Sequence, residues 1–368
     1  MAAGSPAVAL LDASDAAQWT AWLGTSGWKV IVPSAADNNL DGLLQGLVAA
    51  VRQAVSSGAV DPARVYVAGR SEGAATVFYA ISRMPDVWAA GVAVGGSPQA
   101  AIESGRIFAV NFTNAPVLWV SGGAGDEALA EKLKSDGMNL EWRSATGLAP
   151  ATVFEWLAGH VREPYPAVAD CETNSPTFAN CYWMQPAKFD VHERNDVLPS
   201  TRLVAGSGAT LDLGGCGYKP DDAGPGILIS YLPEKYAGPL KSGDRIVEID
   251  GKEIADVRRF REILSKYSED KRVVLMVQRG KSRDRIEARV ATKHFDASPT
   301  ARVQGKYDTD DRLVLVISRT VTEMRLTIPP QWAGSGLMWN GLSMEKIEKP
   351  GCILLTIDKE LLHAAACQ

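Results

Sequence analysis

The chain has 368 residues, of which 46% are hydrophobic and 22% charged, a composition typical of a globular protein with two or three domains. Its net charge of −5 is mild, and no basic run interleaved with aromatic residues indicates a nucleic-acid surface. No apolar run approaches the roughly eighteen residues that a membrane-spanning helix needs. The N-terminus lacks a basic stretch before its apolar run at 7–11, so it is not typical of a signal peptide, and the cytoplasm is the default location.

The front of the chain alternates continuous apolar runs with helical patterns. Such runs are typical of strands that are buried on both faces, so the alternation predicts a parallel sheet with helical crossovers. Strands are expected at 6–12, 28–33, 65–67, 89–94, 117–121 and 140–143, and helices at 40–55, 126–136 and 150–162.

One stretch of this region predicts a nucleophile elbow. The apolar run 65–67 leads into Gly69-Arg70-Ser71-Glu72-Gly73, and a helical pattern follows from Ala74 to Ile81. This order is strand, sharp turn and helix, with the serine at the turn. A serine on a strained turn crowds its neighbours, so the flanking glycines are expected to be needed for close approach. The N–H after the serine would point to the place where an oxyanion forms.

Residues 61–73 resemble the nucleophile segment of α/β-hydrolase esterases, specifically the group around polyhydroxybutyrate depolymerases and feruloyl esterases. The similarity continues through Met84–Val92 and Pro116–Gly122 and covers roughly residues 6–165. The resemblance implies an α/β-hydrolase fold and a serine, acid and histidine in that chain order. Ser71 corresponds to the nucleophile, and Asp126 matches the position of the acid. Members of the group are commonly exported.

The base and the oxyanion loop depart from the family pattern. The family has its histidine after the last strand, but residues 144–149 of this chain contain none. Where the family has His-Gly after its first strand, this chain has Asp12-Ala13, and a carboxylate there would oppose negative charge on an oxyanion. Glu72, directly after Ser71, would add to that repulsion. Together these departures predict an inactive or strongly impaired site.

Four histidines occur in the chain, and none is an obvious base for Ser71. His160 lies near the end of the last helix beside its packed stripe, where a structural role is expected. His192 and His294 fall in later domains, and His363 lies near the end of the chain. The alternative is an active esterase that recruits an unexpected base, for instance His192.

The region after 163 changes character. A stretch rich in Pro, Ser, Thr and Asn at 163–178 is expected to be a linker, and alternating patterns at 181–184, 201–204 and 210–213 predict antiparallel strands. Residues 298–360 are again β-rich, which predicts a small sandwich formed with 179–210, and a helix-like piece ends the chain. The five cysteines show no metal-binding spacing. Cys171 and Cys181 could form a disulfide, but the odd number of cysteines favours free thiols.

Residues from about 213 resemble a PDZ domain. Gly215-Cys216-Gly217-Tyr218 has the form Gly-apolar-Gly-aromatic, and residues 237–251 read A-G-x-L-x-x-G-D-x-I-x-x-I-D-G. The resemblance implies that an extended peptide adds to a sheet edge, with its terminal carboxylate at the glycine loop. Cys216 and Tyr218 are expected to line an apolar pocket. The alternative is a groove that a strand of the chain itself, from 179–210 or 298–328, occupies.

The sequence therefore predicts an α/β-hydrolase-like domain at 1–165, a linker with the first sandwich strands at 166–212, a PDZ domain at 213–295 and the rest of the sandwich at 296–368. The expected role is that of an interaction or scaffold protein built on a degenerate serine esterase, with peptide or protein C-termini as partners or with self-association. No cofactor, metal, nucleic acid or membrane span is expected. An active serine carboxylic-ester hydrolase is the alternative.

Overall fold

The structure is a computed structural model, which describes the chain except residues 1–3, 34–38, 124, 196, 204–208, 220, 221, 223, 265, 268, 269, 293–297, 359, 360 and 368, and except the side chains of 258 and 292. The chain divides into two compact units. Unit 1 comprises Met1–Leu203 together with Ser298–Gln368, and unit 2 comprises Val204–Ala297. In the described part of the chain, no helix is long and apolar enough to cross a membrane.

The first half of unit 1 is a parallel sheet covered by helices, as the sequence predicts. Its strands are β1 (Ser5–Leu10), β2 (Lys29–Ile31), β3 (Val60–Arg70), β4 (Ala90–Val94), β5 (Val117–Ser121) and β6 (Leu140–Ser144). Its helices are α1 (Ala16–Leu23), α2 (Leu40–Ser56), α3 (Ala74–Arg83), α4 (Gln99–Glu103), α5 (Asp126–Ser135) and α6 (Pro150–Ala158). The described strands are ordered β2-β1-β3-β4-β5-β6 and are all parallel.

The buried residues explain why these apolar runs form central strands. Strand β3 contributes Tyr66 and Ala68 to a core that also contains Trp19 of α1 and Leu157 of α6. Helix α3 packs on the sheet so closely that a Cβ atom at Gly91 of β4 would lie 2.6 Å from Ile81. The sheet therefore fixes the position of the turn between β3 and α3.

The stretch 163–178 is not only a linker, because it contains the strand β7 (Val168–Thr173); β8 (Met184–Phe189) follows. The sequence did not predict β7 because Asp170 and Glu172 are charged, and the arginines that pair with these buried carboxylates are distant in sequence. Asp170 forms a paired contact with Arg302 at 2.9 and 2.7 Å, and Arg319 donates to Glu172 at 3.0 Å. Both carboxylates are buried.

Unit 2 is one antiparallel sheet with one described helix. Its elements are β9 (Ala209–Asp212), β10 (Gly217–Tyr218), β11 (Ile227–Tyr231), β12 (Arg245–Ile249), β13 (Lys252–Glu253), α7 (Val257–Leu264), β14 (Arg272–Arg279) and β15 (Ser282–Thr292). The described strands are ordered β10-β11-β12-β14-β15-β9, with β13 beside β12. The strand that the sequence places at 210–213 thus pairs with β15, and the expected boundary at 213 falls after the first strand of this sheet.

The remaining strands of unit 1 are β16 (Ala301–Asp308), β17 (Leu313–Arg319), β18 (Val321–Ile328), β19 (Gly336–Trp339), β20 (Leu342–Met344), β21 (Gly351–Asp358) and β22 (Leu361–Ala366). With β7 and β8 they form two sheets, ordered β20-β19-β17-β16-β7 and β22-β21-β18-β8 among the described residues. Residues of both sheets, including Trp339 and Leu326, share one apolar core, so the sheets pack face to face. The expected helix-like end of the chain is wrong, because residues 361–366 form β22.

Free thiols were also the wrong expectation for four of the five cysteines. Cys171 is bonded to Cys181, and Cys352 to Cys367, with Cα atoms 5.8 and 5.4 Å apart. The second pair follows from the pairing of β21 with β22, because Cys367 N–H donates to Cys352 O across the hairpin at 3.1 Å. The odd number of cysteines reflects only Cys216, which is free.

The two segments of unit 1 that lead into and out of unit 2 meet at one buried carboxylate. Glu172 accepts hydrogen bonds from Ser200 Oγ at 2.5 Å and from Thr201 N at 2.6 Å, before unit 2 begins. It also accepts from Thr300 Oγ1, after unit 2 ends, and from Arg319. One buried charge thereby fixes both ends of the insertion, and its loss would leave several donors without a partner.

Candidate functional site: a serine elbow and an open strand edge

Ser71 lies at the turn between β3 and α3. The strand ends at Arg70, a 3₁₀ turn spans Ser71–Gly73, and α3 begins at Ala74. Ser71 has a φ of +49°, a left-handed conformation that few residues other than glycine adopt, and it is exposed. The surrounding packing thus holds this serine in an unfavourable backbone conformation at the end of a central strand.

The glycines that permit this turn are only partly those expected. A Cβ at Gly69 would lie 2.1 Å from Gly73 O, and one at Gly96 would lie 1.9 Å from Ser71 O. A Cβ at Gly73 would meet nothing closer than 3.7 Å. Close approach therefore requires Gly69 and Gly96, and the expected steric need at Gly73 is wrong. Gly96 follows β4, so only the fold brings it to the elbow.

The loop at the expected oxyanion position carries two carboxylates beside the elbow. Asp12 and Ala13 open a 3₁₀ turn after β1, and Asp12 Oδ1 accepts from Ser14 N at 2.9 Å. Asp15 Oδ2 accepts from Arg70 N at 3.0 Å. The Cβ position of Gly73 lies 3.7 Å from Asp15 Oδ2 and 3.8 Å from Asp12 Cβ. Arg70 Nη1 also lies 3.9 Å from Asp15 Oδ1, and the expected effect of this loop on an oxyanion stays a prediction.

Asp126 follows β5 and the loop 144–149 follows β6, two strands that lie beyond β4 in the sheet. Asp126 begins α5, and its Oδ2 accepts from Gly123 N at 2.8 Å, so this carboxylate closes its own turn. The loop 144–149 follows β6, where the family places its base, and it contains no histidine. The catalytic role of Asp126 therefore stays a prediction, as does the role of Glu72, which is exposed on the elbow.

The histidines lie in other surroundings. His160 Nδ1 is 2.8 Å from Trp156 O, and the two rings are 4.2 Å apart. Tyr66 donates to His160 O at 2.9 Å, and Tyr66 precedes Ser71 by five residues, roughly 16 Å along an extended strand.

His192 is exposed, in the turn after β8, and His363 belongs to β22. Within the described residues, no histidine forms a hydrogen bond with Ser71; His294 lies outside them.

The glycine loop of unit 2 presents backbone donors. Gly214 and Gly215 have φ values of +63° and +85°, Gly214 N donates to Asp212 Oδ1 at 3.1 Å, and Cys216 N reaches Leu213 O at 3.4 Å. No acceptor in the described part of the chain meets the Gly215 N–H. Two successive glycines in this conformation therefore leave an exposed donor at the start of β10, where a carboxylate could accept.

Strand β10 lies at the edge of its sheet, beside α7. It pairs with β11 through Gly217 and Tyr218, and no other described strand pairs with it. The ring of Tyr218 contacts that of Phe260 in α7, with centroids 5.7 Å apart. The sequence offered strands from 179–210 or 298–328 as alternative occupants of this edge. In the structure, β8 pairs with β18, β16 with β7 and β17, and β9 with β15.

Cys216 is half-buried, and burial first, then the neighbouring Cys216 thiol, raises the pKa of Tyr236. Tyr236 also accepts from Leu240 N at 3.4 Å and packs against Gly214. The structure thus places Tyr218 against α7, and Cys216 and Tyr236 both pack against the core of unit 2. Among the described residues, no group of three or more His, Cys, Asp and Glu side chains is arranged to hold a metal ion.

Comparison with known proteins supports two domains. Residues 227–290 match the model of the PDZ domain, and residues 35–102 match that of the prolyl oligopeptidase family. A search of curated proteins finds no match.

Similar solved structures include an HtrA-type protease with a decapeptide, at 21% identity over 25% of this chain and 31% of that chain, TM-score 0.21. A thermostable esterase is 20% identical over 32% of this chain and 37% of that chain, TM-score 0.24, and SOBER1 from Arabidopsis thaliana is 15% identical over 42% and 95%, TM-score 0.29. This chain thus spans about a third of the first two. It carries an α/β-hydrolase-like domain and, after it, a mainly β region with a PDZ domain.

Proposed function

We propose that the protein binds extended peptides through their C-termini and that its hydrolase-like domain serves as a scaffold. The observation that carries the proposal is the outer edge of β10, on which no described strand pairs, and which follows the exposed Gly215 N–H. An extended peptide would add to β10 as a further antiparallel strand, beside α7. Its terminal carboxylate would accept from the loop, and its last side chain would contact Tyr218, next to Phe260.

The elbow supports the scaffold part of this proposal. Removal of the proton from a serine requires a base within about 3 Å or one water away, and the loop 144–149 offers no imidazole. The carboxylate of Asp12 would oppose the charge that ester hydrolysis develops, whereas that of Asp15 is paired with Arg70 at 3.9 Å. Loss of one oxyanion donor alone costs on the order of 10²–10³ in rate. The same fold then contributes packing without turnover.

A peptide library with free C-termini tests the binding function. We expect selection of peptides with an apolar last residue, and amidation of a selected peptide should abolish binding because the loop loses its charged partner. Equal binding of free and amidated peptides would overturn the proposal.

The second candidate is an active serine carboxylic-ester hydrolase, which the exposed Ser71 at φ +49° favours. Hydrolysis of p-nitrophenyl acetate separates the two candidates. The scaffold proposal expects the native protein and Ser71→Ala to show the same turnover. A burst of nitrophenol that disappears in Ser71→Ala would establish the hydrolase.

A further inference from the structure

The two sheets of the sandwich end in four edge strands, β20, β7, β22 and β8, and three of these edges are protected. Natural edge strands avoid pairing with other chains by being short, by carrying Pro or Lys, or by being covered. Strand β20 is short, with three residues, and β8 carries Pro186 and Lys188. Strand β7 is covered, because Asn111 accepts from Glu172 N at 2.7 Å and donates to Glu172 O at 2.8 Å.

Strand β22 has none of these protections within the part of the chain that the structure describes. It reads Leu-Leu-His-Ala-Ala-Ala, without Pro, Lys or an acid, and Leu361 is 63% exposed. Hydrogen bonding alternates along an antiparallel pair, and Cys367 N donates to Cys352 O, so residues 361, 363 and 365 direct their backbone groups to β21. The backbone groups of the other three residues point outward and form no hydrogen bond with a described residue. These outward residues are Leu362, Ala364 and Ala366.

A groove runs beside the outward residues on the side of the sandwich core. Leu362 packs against that core, so Ala364 and Ala366 lie on the same face of the strand. The groove is lined by these alanines, by Ile353 of β21 and by the segment 345–349. That segment contains two Glu and two Lys, so its charges balance. A strand that adds to β22 therefore meets an apolar surface beside a rim without net charge.

A second copy of β22 complements this edge when a two-fold axis lies at Ala364. Such an axis, perpendicular to the sheet, keeps each side chain on its own face and pairs all three outward residues with one another. Ala364 then faces its symmetry mate, and Leu362 faces the partner subunit's Ala366. Each outward residue exchanges both backbone hydrogen bonds with its facing residue. The large side chain of Leu362 thereby meets the small Ala366, which is paired with Ile353 at the groove.

We propose that two copies of the protein associate through β22, as antiparallel neighbours about a two-fold axis at Ala364. Their two four-stranded sheets would join into one continuous sheet. A second copy is the occupant that the charges favour, because a strand without charge and a rim of balanced charge can meet themselves without like-charge repulsion. The inference concerns unit 1 and is independent of peptide binding by unit 2.

Sedimentation velocity of the full chain tests the association. At about 100 μM, a concentration that reveals even a weak dimer, we expect the native chain to be dimeric. Ala364→Pro should be monomeric, because it removes the outward N–H at the two-fold axis and leaves the hydrogen bonds to β21 in place. The tryptophan fluorescence of this variant, followed in urea, should show that unit 1 is folded.

A cross-link tests the register without relying on the proline variant. In a Cys216→Ala background, Ala364→Cys should form an intermolecular disulfide on mild oxidation, because facing hydrogen-bonded residues have Cα atoms about 5.5 Å apart, which a disulfide can span. Ala365→Cys is the matched control, since Ala365 is also exposed but faces the partner subunit's His363. It should cross-link far more slowly, because its own mate is a diagonal neighbour about 7–8 Å away.

Two results would overturn the inference. A native chain that is monomeric at that concentration would leave the edge of β22 to a strand of another protein. A dimer that persists in Ala364→Pro, or that cross-links equally at positions 364 and 365, would use a different surface.

Discussion

The elbow of unit 1 and the glycine loop of unit 2 both use glycines for close backbone geometry, but to different ends. At the elbow, Gly69 and Gly96 allow backbone atoms to meet, and the loop that follows β6 supplies no histidine. At the glycine loop, Gly214 and Gly215 take positive φ values and leave the Gly215 N–H exposed. Under the proposed function the elbow contributes packing, whereas the glycine loop binds through the Gly215 N–H, which has no acceptor among the described residues.

The two units also differ in how they are held together, and this difference can be tested. Both described disulfides and the buried carboxylates of Asp170 and Glu172 belong to unit 1, whereas unit 2 contains the free Cys216. All ten tryptophans lie outside unit 2, so tryptophan fluorescence follows the unfolding of unit 1 alone. Hydrogen exchange of the unit 2 amides follows the other unit.

The largest effect is expected from Glu172→Ala, which leaves Arg319 and the donors of Ser200, Thr201 and Thr300 without their acceptor. Removal of one partner from a buried ion pair costs about 3–5 kcal/mol. We expect a loss of that size in the free energy of unfolding of unit 1, measured by tryptophan fluorescence in urea. Glu323→Ala is the control, because Glu323 pairs with Lys188 at 3.6 Å on the surface and should cost below about 1 kcal/mol. Similar losses for both variants would contradict the central role of Glu172.

The next effect concerns the glycines of the elbow. Gly69→Val should cost about 3 kcal/mol, because its Cβ would overlap backbone atoms of Gly73, which a side-chain rotation cannot relieve. Gly73→Ala, where a Cβ meets nothing closer than 3.7 Å, should cost below about 1 kcal/mol. Thermal unfolding of the two variants measures the difference. Equal stabilities would show that the turn is not as tight as the structure has it.

A smaller loss is expected when the Cys171–Cys181 disulfide is removed. The bridge closes a loop with a sequence separation of 10 residues, for which the chain-entropy model gives about 3 kcal/mol at most, and measured effects are often below the model. Cys171→Ala/Cys181→Ala should lower the melting temperature of unit 1 and leave hydrogen exchange in unit 2 unchanged. Cys216→Ala should leave the melting temperature of unit 1 unchanged. A reductant that leaves the tryptophan transition of the native protein in place would contradict the disulfides.

The smallest effect is a pH dependence that belongs to unit 2. Burial alone would raise the pKa of Asp244, but hydrogen bonds from Arg279 and from Lys241 N outweigh it and hold that pKa below its usual value. Since the folded pKa is the lower one, the contribution to stability is present above the unfolded pKa, about 3.9, and is lost as the pH falls through the folded pKa.

Asp244→Asn should therefore flatten the acid limb of stability in unit 2, measured by hydrogen exchange between about pH 5 and pH 3. Asp284→Asn, at the exposed end of the same arginine, is the control and should preserve the limb. An unchanged acid limb in Asp244→Asn would mean that other carboxylates determine it.

Local patterns predict much of this fold, because the elbow and the PDZ run are contiguous in sequence. The features that the sequence concealed depend on contacts between distant residues. Strand β7 carries buried acids that only Arg302 and Arg319 make tolerable, and Gly96 reaches the elbow from the next strand. The Cys352–Cys367 bond follows from hairpin register, which spacing alone does not give.

The most direct test of the account is the reactivity of Ser71 toward a fluorophosphonate probe, read by intact mass and by the site of modification. The proposed scaffold role predicts no label at Ser71, so the probe should leave the intact mass of the native protein unchanged, as it should that of Ser71→Ala. An active serine hydrolase of the same fold serves as the positive control in the same mixture. A label on Ser71 of the native protein, absent from Ser71→Ala, would contradict the scaffold role of this domain.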